Sequence, residues 1–79
     1  MTFVCFLQSE VDASKYYVGI SNDPLRRLDE HNGGHSIHTN KFRPWKAVVT
    51  FGFADAAKAT AFERYLKSGS GRAFAKKHF

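Results

Sequence analysis

The chain has 79 residues, enough for one small domain, and its 43% apolar and 15% aromatic content excludes intrinsic disorder. No apolar run approaches the roughly 20 residues of a membrane span, the N-terminal stretch has no basic leader region, and a single cysteine, Cys5, excludes an intrachain disulfide or a cysteine-rich zinc site. The net charge of +5 adds the expectation of a soluble, cytoplasmic, basic protein with one domain over residues 1–79.

Phe3 to Leu7 is short, aromatic and β-branched, and reads as a buried strand. Gln8 to Lys15 turns the chain, and Tyr16 to Ile20 reads as a second strand, so the two form a hairpin. Asn22-Asp23-Pro24 is a helix start, an Asx cap followed by proline in the first turn; the helix runs through Leu25 to Asn32 and stops at Gly33-Gly34. A polar loop over Gly33 to Arg43 carries His35 and His38, which lack paired cysteines or carboxylates and are not expected to hold zinc. Trp45 to Phe53 reads as a third strand, with Pro44 at its start. Asp55 caps a longer helix, Ala56 to Lys67, ended by Ser68-Gly69-Ser70-Gly71, and Arg72 to Lys77 forms a last short helix. The order ββαβαα predicts an α+β fold: a small three-stranded antiparallel sheet flanked by helices.

The charge divides along this order. Residues 1–40 hold three bases against five acids, and residues 41–79 hold nine against two, so the halves carry −2 and +7. A one-sided positive field is the footprint of a polyanion, above all nucleic acid; a solvated basic surface that aids solubility is the alternative. Phosphate contacts would fall to Lys58, Arg64, Lys67, Arg72, Lys76 and Lys77.

In the first helix, at 100° per residue, Leu25, Leu28 and Asn32 are expected to define the buried stripe, with Arg27 and His31 sharing a face beside it. A cationic Arg27 next to His31 biases the imidazole toward its neutral form, which can accept a proton or orient a water. Glu63 is the only acid after Asp55. It is either the partner of Lys67 in an i,i+4 pair or a lone carboxylate on a rigid helix that holds one Mg²⁺ together with water and phosphate oxygens. Strand alternation sends Tyr16 and Tyr17 to opposite faces.

Tyr17-Val18-Gly19, followed ten residues after Tyr17 by Arg27 and then by His31, resembles the second half of the GIY-YIG nuclease signature; Phe3-Val4-Cys5 stands where its first half would be. Asn22 to Leu28, Glu30-His31-Asn32, Arg43 to Lys46 and Phe62 to Lys67 continue the likeness in order over essentially the whole chain, which is most similar to small stand-alone members related to the excinuclease-type nuclease domain. The resemblance implies an endonuclease that hydrolyses phosphodiesters in DNA. In it Tyr17 meets the attacking water, Arg27 binds the scissile phosphate, His31 orients or helps deprotonate the water, and Glu63 holds one Mg²⁺ or Mn²⁺ ion. The same likeness implies DNA repair, with branched or damaged DNA as substrate. It also implies targeting by a partner or a homodimer, for which 79 residues leave no separate domain.

Cys5 replaces the tyrosine of the first tripeptide, Ile20 stands where excinuclease-type domains carry lysine, and no asparagine follows Asn40. A thiol cannot place a hydroxyl where a phenol would. The second functional expectation is therefore a nucleic-acid-binding module of the same fold with weak or absent catalysis. A third is a protein-interaction domain using Trp45, although Trp45 is expected in the core.

Overall fold

The computed structural model describes residues 1–34 and 40–79; His35 and His38 lie outside the described residues. Strands β1 (Thr2–Ser9) and β2 (Tyr16–Ser21) are followed by helix α1 (Pro24–Asn32), strand β3 (Trp45–Phe53), and helices α2 (Ala56–Lys67) and α3 (Gly69–His78). The sheet is antiparallel throughout, in the order β2-β1-β3, as the pattern predicts. None of the described helices is long and apolar enough to cross a membrane.

Alternation along β1 divides the interior in two. Val4 and Phe6 point to one face, where they meet Val18 of β2 and Ala59, Leu66 and Ala75 of α2 and α3. Cys5 and Leu7 point to the other, where they meet Trp45 and Tyr17, with Leu28 of α1 packed against them. Helices therefore cover both faces: α2 and α3 one, α1 the other.

The termini of α1 and α2 follow from their caps. The Asp23 carboxylate accepts from the Arg26 amide, and that of Asp55 from the amides of Ala57 and Lys58, which satisfies donors that the first turn cannot use internally.

The face of α1 differs from the expectation. Leu25 is 78% exposed, whereas His31 is 2% exposed and Arg27 and Leu28 are partly buried. Of the expected stripe, Leu28 packs against Cys5, Leu7 and Trp45 and Asn32 bonds to Trp45, as expected, whereas Leu25 turns outward and His31 takes the buried place. The C-terminal helix differs too: α3 begins at Gly69, three residues before the expected Arg72. Ser68, extended at φ −81° and ψ 166°, is the last cap of α2 and the first of α3. Its Oγ donates to the Tyr65 carbonyl at 2.6 Å and accepts from the Gly71 amide at 3.1 Å. Glycine at 71 is a packing requirement: a Cβ there would lie 1.7 Å from the Tyr65 carbonyl oxygen. Gly71, one of the residues that suggested a break, is what lets α3 start directly against the end of α2.

Candidate active site

Tyr17, Arg27 and His31 converge on the α1 side of the sheet. Tyr17 is opposite Leu7 in the β1–β2 ladder, so its ring stands on the same face as Cys5 and Leu7. Its ring centroid is 4.4 Å from that of His31, the planes tilted by 57°. Arg27, one helical turn before His31, donates from Nη2 to the Tyr17 hydroxyl at 3.1 Å. The Nε of Arg27 is buried and meets no acceptor among the described residues. A buried guanidinium donor left in this state carries a desolvation penalty.

Two neighbours allow this geometry. Gly19 lies two residues after Tyr17 on the same face, and a Cβ at Gly19 would lie 2.7 Å from the Tyr17 ring and 3.0 Å from its hydroxyl. The missing side chain lets the phenol lie down along its own strand and reach Arg27. Asn32 fixes the end of α1 by two bonds to one residue of β3: its side-chain nitrogen donates to the Trp45 carbonyl at 3.0 Å, and the Trp45 amide donates to its Oδ1 at 2.5 Å. Clamping Asn32 positions His31 beside it. An asparagine directly after the helix histidine was visible in the sequence, but nothing there pointed to Trp45 as its partner.

Electrostatics follow from burial. The His31 pKa is lowered, first by desolvation and then by the Arg27 charge, with Glu30 opposing; the neutral ring expected from the sequence is favoured, with burial as the larger cause. Burial pushes the Cys5 thiol up, against the pull of Arg27. Cys5 is 2% exposed opposite Gly19, so the residue at the first-tripeptide position is an uncharged part of the core beneath the site.

Glu63 is not part of this cluster's face. It sits on α2, which packs on the opposite side of the sheet. Phe62 lies against Phe51 and Phe53 of β3, which turns Glu63 onto the flank of α2 away from β3, where β2 is the outer strand. Its carboxylate is 3.5 Å from Lys67 Nζ, the pair that the spacing also predicts. Among the described residues no three His, Cys, Asp or Glu side chains gather into a metal-binding group. A hard oxygen ligand, partly shielded on a helix, fits a single Mg²⁺ or Mn²⁺ that keeps its other positions for water and phosphate.

The six basic residues are all exposed, but they are not one patch. Lys67, Arg72 and Lys76 line a cleft between the β1–β2 loop and the α2–α3 corner; Lys58, Arg64 and Lys77 lie outside it. Lys15 and Tyr16, which the charge pattern did not single out, complete the cleft. Lys15 was hidden by its position in the acidic half. Trp45 is buried at 4%, which removes it as an exposed contact residue.

Residues 2–77 match the profile of the GIY-YIG catalytic domain. The chain is 42% identical over 69 residues to structure-specific endonuclease subunit SLX1 of Schizosaccharomyces japonicus, covering 80% of this chain and 25% of that protein. It is 40% identical over 67 residues to the same subunit of Scheffersomyces stipitis, covering 76% and 20%. Against that of Podospora anserina it is 41% identical over 66 residues, covering 76% and 19%. The chain thus spans about a fifth to a quarter of the length of these curated relatives.

Proposed function

Because the chain belongs to the GIY-YIG catalytic-domain family, we propose that it is a divalent-metal-dependent endonuclease that hydrolyses phosphodiester bonds in DNA. The observation that carries the reading is the convergence of Arg27, Tyr17 and His31: Arg27 Nη2 donates to the Tyr17 hydroxyl at 3.1 Å, and the Tyr17 and His31 ring centroids are 4.4 Å apart. This is a donor set prepared for a phosphate oxygen.

Each residue's role follows from its surroundings. Arg27 binds the scissile phosphate and stabilises the charge that grows on its equatorial oxygens. The Tyr17 oxygen accepts from Arg27, which orients the phenol, and meets the attacking water to take or relay its proton. His31, 2% exposed, acts through Tyr17: its neutral ring props the phenol and offers a base behind it. As the water oxygen bonds to phosphorus, the bond to the 3′ oxygen breaks and that oxygen leaves. Glu63 would hold one Mg²⁺ or Mn²⁺, whose chemistry is to polarise the phosphate and stabilise the leaving oxygen. The relatives are named as structure-specific endonuclease subunits; the same role here means branched DNA as substrate and a partner chain for targeting.

The test is cleavage of supercoiled, single-stranded and branched DNA with Mg²⁺ or Mn²⁺. Arg27→Ala is expected to slow nicking by about 10²–10³-fold, the cost of one preorganised donor, and Glu63→Ala to abolish metal-dependent nicking. Nicking that survives Glu63→Ala removes Glu63 as the metal ligand. Cys5 in place of a tyrosine favours the second reading, a binding module without turnover; wild type that shifts DNA but nicks none of the three substrates establishes it.

A further inference from the structure

The cleft on the α2 and α3 side has a volume of about 850 Å³, within the range that holds a drug-sized ligand. It is large enough for one or two nucleotides. Its cations come from three elements: Lys15 from the β1–β2 loop, Lys67 from the end of α2, and Arg72 and Lys76 from α3. None of its described lining residues is acidic, although the half of the chain that supplies Lys15 has a net charge of −2. Lys67 is paired with Glu63 at 3.5 Å and the Lys15 ammonium lies over the Phe42 ring, 5.4 Å from its centroid, so Arg72 and Lys76 are the lining cations that complement a run of phosphates.

Tyr16 supplies a second, independent feature. It is 50% exposed and one face of its ring stacks on Phe6, with centroids 5.1 Å apart and planes at 22°. Gln8 Nε2 donates to its hydroxyl at 3.2 Å. An aromatic ring backed by a buried ring and held at its polar end is a preformed platform for an unstacked base, and bases in a duplex have no free face to offer it. Tyr17, the next residue, belongs both to the cleft wall and to the Arg27 cluster, so a strand seated in the cleft continues toward the candidate active site.

We propose that this cleft is a subsite for one or two nucleotides of an unpaired DNA strand, with Tyr16 stacking a base and Arg72 and Lys76 holding the flanking phosphates. The inference deepens the nuclease reading and rests on it for the placement of the cut. The substrate is then DNA with a single strand adjoining the bond to be cut.

Binding without metal tests the subsite apart from catalysis. Fluorescence anisotropy with a labelled oligothymidine strand and with a duplex of equal length, over a series of salt concentrations, is expected to show preference for the single strand. Tyr16→Ala is expected to weaken single-strand binding about tenfold or more, Tyr16→Phe to restore it, and duplex binding to change much less. The exposed pair Arg72→Ala with Lys76→Ala does not depend on the sheet for folding. It is expected to lower the salt slope for the single strand by about 1.4, from roughly 0.7 per phosphate contact. Equal weakening of both ligands by Tyr16→Ala, no weakening, or an unchanged salt slope in the double variant overturns the subsite. Wild type that shows this binding pattern but nicks nothing with Mg²⁺ keeps the subsite and loses the nuclease reading. Wild type that nicks while its single-strand affinity ignores Tyr16 does the reverse.

Discussion

The two faces of the sheet are built from alternate residues of the same strands, yet they have different physics. On the α2 and α3 face, Val4, Phe6, Val18, Ala59, Leu66 and Ala75 form an apolar core, with Phe62 set edge-on against Phe51. On the α1 face, Cys5, Leu7 and Trp45 surround a polar cluster in which His31 is almost fully buried and the Arg27 Nε has no acceptor among the described residues. Burying apolar surface stabilises at roughly 25 cal/mol per Å²; burying an unsatisfied polar group costs free energy. One face therefore carries stability, and the other holds the groups that this stability keeps in place.

The sharpest way to break the comparison is to truncate a leucine on each side. Leu66, 2% exposed in the apolar core, is expected to lose about 2–5 kcal/mol as Leu66→Ala. Leu25, 78% exposed on α1, is expected to change by less than about 0.5 kcal/mol as Leu25→Ala. Urea melts of both variants read the difference directly. Equal losses would mean that the inward side of α1 is the leucine side after all.

Gly19→Ala examines the polar face. The new Cβ, 2.7 Å from the Tyr17 ring, forces the phenol away from Arg27. Nicking is expected to fall by up to about a hundredfold, the effect of misplacing a reacting group by an ångström. Stability should change by only about 1 kcal/mol, the worth of the one displaced hydrogen bond. Nicking at the wild-type rate would show that the contact between Tyr17 and Arg27 is not needed.

The smallest effect is a pH slope. The folded His31 pKa lies below the ordinary 6.5, so the unfolded chain takes up the proton first. The stabilisation is fully present above about pH 6.5 and declines as the pH falls below it. Wild type should lose more stability than His31→Gln over that acid range in parallel urea melts. Identical slopes would mean that His31 keeps its proton equally in both states. Arg27 pushes in the same direction as burial and Glu30 against it, so removing the Arg27 charge should make the slope shallower.

Much of this was legible in the chain. Alternation in Phe3–Leu7 and Tyr16–Ile20 is a property of the strand itself, so residue order alone marks the strands and sends Tyr16 and Tyr17 to different faces. The order of Tyr17, Gly19, Arg27, His31 and Glu63 placed the family, and the caps at Asp23 and Asp55 placed two helices. The inward face of α1 was legible at Leu28 and Asn32 but not at His31, because an apolar count cannot recognise a histidine as the most buried member of a helix. Nor was the start of α3 at Gly69, since glycine signals a break locally and allows close packing in three dimensions.

The sequence by itself determined the strands, the antiparallel sheet and the family, because each depends on local periodicity or on motif order along the chain. Helical spacing already set Arg27 and His31 on one face; tertiary structure alone brought Tyr17 to them and set Glu63 on a helix of the other face of the sheet. It alone brought Lys15 from the acidic half to Arg72 and Lys76 of the basic half around one cleft. Four of the twelve Lys and Arg residues line that cleft, and the rest of the positive charge is spread outside it. Which groups face one another depends on how helices close over a sheet, and no spacing in the sequence records that.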